Sequence, residues 1–320
     1  MARSVFLTGA TGFVGGALLK RLVLDDFSVV AAVRNNQNKI PQNVSTVEFS
    51  SFEEASWAQS LGGIEIVVHC AARVHVMNDA ESDPLRAFRK VNVEGTLNLA
   101  RQAAAAGVRR FIFISSIKVN GEFTLPGAPF TADDQPSPKD PYGVSKMEAE
   151  QGLRELAVAT GMEVVIIRPV LVYGPNVKAN FLNMMRWLDK GVPLPFGSIH
   201  NARSLVAVEN LTDLIVTCID HPKAANQIFL VSDGDDLSTT QLLKRMAKAL
   251  HKSALLLPIP SFFLTATANF LGKKSLSQRL CGSLQVDIGK TRSLLQWMPP
   301  MTIDEALINT AAHYLGSKVK

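Results

Sequence analysis

A chain of 320 residues that is 47% hydrophobic carries enough apolar side chains for a full core, which excludes a disordered chain and fits one large domain or one domain with a smaller appendage. The net charge of +5 and the pI near 9.1 come from scattered Lys and Arg with no basic block of the kind that forms a nucleic-acid arm, and a positive surplus equally suits a phosphate-bearing substrate. Cys70, Cys218 and Cys281 lie in apolar surroundings without CxxC spacing or a His cluster, so no metal site is expected and they read as reduced core thiols of a cytoplasmic protein.

The chain opens on an apolar run, Val5–Thr8, with nothing of signal-peptide type ahead of it. Further runs follow at Ser28–Val33, Thr46–Phe49, Ile64–Cys70, Phe111–Ser115 and Val164–Arg168, and the segments Gly12–Leu24, Leu85–Ala106 and Tyr142–Thr160 between them have helical period. Strands separated by helix-length connections predict βαβ units and a doubly wound parallel α/β sheet covered on both faces. Residues 1–168 are read as this domain. After Pro169 the alternation loosens, with Pro175, Gly191, Pro193, Pro195 and Gly197 between helices expected near Asn180–Lys190, Glu209–Asp220, Ser238–Lys252 and Thr302–Tyr314. Residues 169–320 are therefore read as a smaller α/β substrate lobe, with Ile228–Val231 as a strand able to return to the main sheet. The apolar stretch Ala254–Leu271 is interrupted by Pro258 and Pro260 and is too short for a membrane span; it reads as a core or lid helix, with contact to a membrane surface as the alternative.

Between the first strand and the first helix stands Thr8-Gly9-Ala10-Thr11-Gly12-Phe13-Val14-Gly15, with glycines three apart. The first permits a tight turn, the second lets the backbone approach a pyrophosphate, and the third lets helix and strand pack closely, while free N–H groups at the helix start face the phosphates. Position alone makes this glycine triplet a dinucleotide signal. The second strand ends Val33-Arg34-Asn35 and has no acidic residue there to hold ribose hydroxyls, so Arg34, helped by Thr11 and Lys39, favours NADP(H) over NAD(H). The bland alternative is that Arg34 stacks on adenine.

Tyr142 and Lys146, four apart at the opening of a helix, share one face, and a held ammonium is expected to lower the phenol's pKa toward a useful acid or base. Ser115 and Ser116 end the preceding strand, at the sheet edge where such folds bind ligands, and one of their hydroxyls is placed to share a proton with the tyrosine and a substrate oxygen.

With these motifs the chain resembles the extended short-chain dehydrogenase/reductases of the NAD-dependent epimerase/dehydratase family, nucleotide-sugar enzymes with a Rossmann fold. The likeness is carried by the glycine turn, His69-Cys70-Ala71-Ala72, Asn92-Val93-Glu94-Gly95-Thr96, Phe113-Ile114-Ser115-Ser116, the Tyr142/Lys146 pair, and Arg168-Pro169 with Val172-Tyr173-Gly174-Pro175. The resemblance implies Ser116, Tyr142 and Lys146 as catalytic residues. It implies Gly9, Thr11, Gly12, Phe13, Val14, Gly15, Arg34, Ala71, Ala72, Asn92, Ser115, Pro169 and Val170 around the dinucleotide, with Asn92 also holding the catalytic helix in place. For the substrate it implies Asn180 on a nucleoside diphosphate, Phe196 stacked on its base and Arg203 paired with its phosphates; Phe196 as plain core and Arg203 as a surface ion pair remain the alternatives.

Three positions depart from the family's pattern. Leu171 stands where many epimerases have asparagine, Ile117-Lys118 replace the Asp-Glu that drives elimination in the dehydratases, and Phe49-Ser50-Ser51-Phe52 lacks the usual adenine-contacting Asp. The expectation is hydride transfer at C4 of a UDP-linked sugar by a homodimer pairing through Leu85–Ala106 and Tyr142–Thr160. Arg34 and Leu171 tilt this toward a 4-ketoreductase of a 4-keto-6-deoxy (N-acetyl) hexose for surface polysaccharide. A UDP-glucose or UDP-N-acetylglucosamine 4-epimerase is the alternative, other ketones such as flavonoids or steroids a remoter one, and a dinucleotide-binding redox sensor without turnover the reading of a different class.

Overall fold

A computed structural model describes residues 3–34, 40–74, 83–125, 127–270, 278 and 280–318. Asn35 and Lys39, expected near the ribose, lie outside the described residues, as does Leu271.

Seven parallel strands form the main sheet in the order β3-β2-β1-β4-β5-β6-β9: β1 Ser4–Thr8, β2 Ser28–Val33, β3 Ser45–Glu48, β4 Ile66–His69, β5 Arg110–Ile114, β6 Glu163–Pro169 and β9 Ile228–Val231. The chain builds outward from β1 through β2 to β3, then crosses back to β4 beside β1, so the strand order reverses between β1 and β4. That reversal leaves a crevice at the carboxyl ends of the two strands, the place where open α/β sheets take ligands. The inner strands are apolar on both sides because both faces are covered, while the edge strand β3 is polar and largely exposed. In β1, Val5 and Leu7 enter one core with Leu18 and Leu22 of α1 (Phe13–Leu24), while Phe6 enters the other with Leu99 of α3 (Thr96–Ala105) and Leu153 of α4 (Pro141–Thr160).

The segment expected as one helix over Leu85–Ala106 is broken. A short α2 (Pro84–Arg89) runs into a single π-helical turn, Lys90–Gly95, before α3 begins. Periodicity cannot show this, because one inserted residue per turn leaves the apolar spacing nearly intact; such turns often occur at functional sites.

A second sheet orders β10 (Asp236–Leu237), β8 (Arg203–Ala207) and β7 (Leu171–Tyr173). Around it α5 (Ala179–Asp189), α7 (Thr239–Ala249) and α10 (Ile303–Gly316) enclose a separate core built on Tyr173, Phe181, Met185, Leu243 and Leu307. α6 (Val208–Asp220) packs on α1 across the main sheet, α8 covers Ser261–Phe270 and α9 covers Gly289–Leu295. The core role expected for Ala254–Leu271 is not what α8 shows: Phe262 and Phe263 are 63% and 54% exposed. The cysteines are free, but only Cys218 is a core thiol; Cys70 and Cys281 are half-buried. Among the described residues no helix is long and apolar enough to cross a membrane, and no group of His, Cys, Asp or Glu is arranged to hold a metal.

Candidate active site

The glycine turn sits at the reversal of strand order. Gly9 adopts φ +74°, and a Cβ there would lie 2.8 Å from the Ala71 nitrogen, because the turn is pressed against the exit of β4. Gly15 packs tighter still, with a Cβ that would stand 2.2 Å from the Gly9 oxygen. Gly12 precedes α1 without any side-chain cap, so the first amides of the helix, at half-buried Phe13 and Val14, carry unanswered donors and the positive end of the helix dipole. Thr11 is exposed beside them, and Ala71 and Ala72 are half-buried across the crevice. These features fit the pyrophosphate of a dinucleotide.

Arg34, exposed at the end of β2, lines a cleft of about 490 Å³ with Ser50, Ser51, Arg73, Arg86 and Lys90. A larger cavity, about 710 Å³, runs along the outer side of α4 between Met147, Val158, Ile166 and Ile228 and includes none of the expected site residues.

Opposite the glycine turn, α4 delivers the tyrosine and lysine. Its start is fixed by Asp140, whose carboxylate accepts from the Gly143 N–H at 2.7 Å and is ion-paired with Lys118. One turn on, Tyr142 packs edge-on against Phe88 of α2, with centroids 5.9 Å apart. Ser116 accepts from the Lys118 N–H at 3.2 Å and stands close enough to the Tyr142 phenol to pull its pKa down. Ser115 points elsewhere, donating to Glu150 in the interior. Of the two serines, Ser116 is the one that acts on the tyrosine, while the Ser115 hydroxyl is taken up by Glu150.

Lys146 is buried, donates to the Ile114 carbonyl at 2.9 Å and lies 4.3 Å above the Phe113 ring. Burial pulls its pKa down to about 8, against the pull of Glu150 upward. The phenol moves the other way: burial and the Asp140 carboxylate push Tyr142 up to about 12, with the Ser116 hydrogen bond opposing. Lys146 is not among the groups that lower the phenol, so the lowering expected from it is not made; burial and Asp140 prevail.

Asn92, on the π-helical turn, accepts from the Arg73 N–H at 2.8 Å and donates to the Arg73 carbonyl and to the Ser145 hydroxyl, each at 3.0 Å. It thus ties the loop after β4 to α4 beside Lys146. Pro169 and Val170 close the far side of the crevice, both buried.

Sequence reasoning missed a buried layer beneath these groups. Glu150 takes a forked pair from Arg168, with Nη2 at 2.5 Å and Nε at 2.9 Å, while Asn120 accepts from Nη1 at 2.9 Å. Glu150 stands one turn beyond Lys146, a spacing that could have flagged it. His69, at the end of β4, is bridged between Thr8 and Thr96 at 2.8 and 3.0 Å, with burial pulling its pKa down to about 3.

The expected substrate residues lie on the second lobe. Asn180 is exposed at the start of α5, Phe196 is half-buried against the second core, and Arg203 donates to the Gly282 carbonyl at 3.0 Å. Leu171, about half exposed, begins β7.

The profile of the NAD dependent epimerase/dehydratase family matches residues 5–232. A UDP-glucose 4-epimerase of Vibrio cholerae is 52% identical over 320 residues, covering 98% of this chain and 96% of that one. An Escherichia coli O157:H7 4-epimerase of N-acetyl-α-D-glucosaminyl-diphospho-ditrans,octacis-undecaprenol is 27% identical, covering 97% and 95%. Among solved structures, the UDP-glucose 4-epimerase of Thermotoga maritima with UDP-glucose superposes with a TM-score of 0.79 at 22% identity, covering 98% and 99%. A glycine turn at the strand reversal, a Ser–Tyr–Lys cluster facing it and a family match across most of the chain agree: the protein belongs to the NAD-dependent epimerase/dehydratase family and is a nicotinamide-dinucleotide-dependent enzyme of the extended short-chain dehydrogenase/reductase type.

Proposed function

We propose that the protein is a 4-epimerase of a UDP-linked hexose, UDP-glucose or UDP-N-acetylglucosamine. This replaces the 4-ketoreductase favoured above. That preference stood on Arg34 and Leu171, two positions, whereas the likeness to the Vibrio cholerae 4-epimerase is 52% identity across nearly the whole of both chains, and it is the observation that carries the reading.

When bound, the dinucleotide supplies a carbon that takes hydride from C4 of the sugar and returns it to the opposite face, with no net oxidation. The chain's own residues do the rest. Ser116, its oxygen held by the Lys118 N–H, hydrogen-bonds the C4 oxygen and the Tyr142 phenol together. Tyr142 takes the proton from that oxygen and later gives it back, with Lys146 one helical turn along the same face of α4. Placement of C4 is the larger share of the task, and Asn92, Asp140 and the Glu150–Arg168 pair hold the helix that sets it.

In the dinucleotide cleft, Gly9, Thr11, Gly12, Phe13, Val14, Gly15, Ala71 and Ala72 surround the pyrophosphate. Arg34, Arg73, Arg86 and Lys90 favour a 2′-phosphate, hence NADP(H), at the ribose end. Asn180, Phe196 and Arg203 take the UDP moiety. Two copies pair through α3 and α4, where Val158 is 90% exposed; light scattering on the purified protein is expected to give twice the chain mass.

The test is to incubate the purified protein with UDP-glucose and with UDP-N-acetylglucosamine, adding no reductant, and to resolve the products by chromatography. Formation of the C4 epimer without nicotinamide consumption is expected. A protein inert on both that reduces a UDP-4-keto sugar with stoichiometric loss of NADPH would restore the ketoreductase.

A further inference from the structure

The positive charge of the chain is not evenly placed. From Ser238 to Val286 there is no Asp or Glu, against seven Lys and Arg, so this stretch holds the whole surplus of +5. Within it, Lys244, Lys248 and Lys252 follow one another at four-residue intervals along α7 and the turn after it, all exposed.

The same stretch exposes a run of large apolar side chains. After Lys252 the chain runs extended alongside residues 194–197, with Leu194 N–H donating to the Leu255 carbonyl at 2.9 Å and Gly197 N–H to the Leu257 carbonyl at 2.8 Å. Alternation turns Ala254 and Leu256 into the second core. The outward positions, where a solvated strand carries polar residues, are Leu255 and Leu257, 55% and 46% exposed. Pro260 then leads into α8, whose Phe262 and Phe263 rings lie with centroids 3.9 Å apart and tilted by 33° while both are exposed, and whose Phe270 is 91% exposed. Five large apolar side chains over sixteen residues exceed the scattered exposure normal for a soluble surface.

We infer that residues 255–270, entered from the exposed lysines of α7 and the turn after it, form a surface that lies on an anionic lipid bilayer. Leucines and phenylalanines enter the boundary between headgroups and acyl chains, and the lysines meet the phosphate layer. Charge selects this occupant: the stretch has no carboxylate of its own, the neighbouring Asp235 and Asp304 are taken up by Arg245, and the remaining lysines are drawn to an anionic sheet. The contact adjoins the 194–197 segment that carries Phe196, so the protein would sit with its second lobe at the membrane.

The test uses the full chain with vesicles of phosphatidylcholine alone or containing phosphatidylglycerol, read by co-sedimentation. Binding to the anionic vesicles at 0.1 M salt and release at 0.5 M are expected, since a Debye length near 10 Å shrinks with salt. F262S/F263S is expected to weaken partitioning about tenfold or more, and K244E/K248E several-fold, with unchanged melting temperatures. Failure to bind anionic vesicles, equal binding to neutral ones, or binding untouched by both double variants would overturn the inference. So would a native protein that self-associates, ignores vesicles and becomes monodisperse in F262S/F263S, because the patch would then be an interface between copies.

Discussion

Replacing Glu150 by Gln keeps the shape of the side chain and removes its charge. The Glu150 side chain is 4% exposed and that of its partner Arg168 2%, so the guanidinium would be left buried with no counter-charge, and the Ser115 hydroxyl would lose a charged acceptor. Removing one partner of a buried, forked pair costs about 3–5 kcal/mol, much of it the penalty for the orphaned ion. Glu150 also holds the Lys146 pKa up against the downward push of burial. Without it that pKa falls below about 8, so neutral lysine appears at lower pH and the alkaline limb of kcat/KM moves toward acid. Urea unfolding and a pH profile of turnover measure the two effects separately. E150M/R168M, which replaces both ions with apolar side chains, is expected to recover most of the stability while keeping the displaced limb. An E150Q protein with native stability and a native pH profile would refute the reasoning.

His69→Asn should blunt acid unfolding. The folded His69 pKa near 3 lies below the ordinary 6.5, so stability from its neutral ring is complete above pH 6.5 and is lost as pH falls from there toward 3. That loss reaches roughly 5 kcal/mol in the native protein, and an Asn variant should show a flatter dependence of unfolding free energy on pH over this window. Gly15→Ala places a methyl 2.2 Å from where the Gly9 oxygen sits, so dinucleotide affinity measured by calorimetry should fall by at least about tenfold even if the fold survives. Arg34→Ala should weaken NADP⁺ binding by about tenfold or more while leaving NAD⁺ nearly unchanged; an equal effect on both would mean that Arg34 acts on adenine instead.

What could be read from residue order was set by short-range constraints. The glycine turn needs spacings of three at one place, Tyr142 and Lys146 need one helical turn, and strands such as Ser28–Val33 and Ile228–Val231 need only an apolar run between breakers; all lie where those patterns place them. The features that escaped depend on contacts between distant segments. The π-helical turn at Lys90–Gly95 is held by Asn92 reaching Arg73 and Ser145, neither of which the local pattern announces. Arg168 and Glu150 become partners only because β6 packs against α4. The direction of the Tyr142 shift escapes the spacing, which puts Lys146 one turn away but shows neither the burial of the phenol nor the weight of Asp140. At Leu255 and Phe262, hydrophobicity argued for burial, and only the three-dimensional arrangement shows those side chains facing outward.

The central claim is that the Tyr142 phenol, joined to Ser116, carries the proton of the sugar's C4 oxygen. Turnover of Tyr142→Phe on UDP-glucose, measured beside its dinucleotide affinity and its melting temperature, tests this most directly. A fall in kcat of about 10²–10⁴ with binding and stability intact is expected; turnover at the native rate would place the proton transfer on another group.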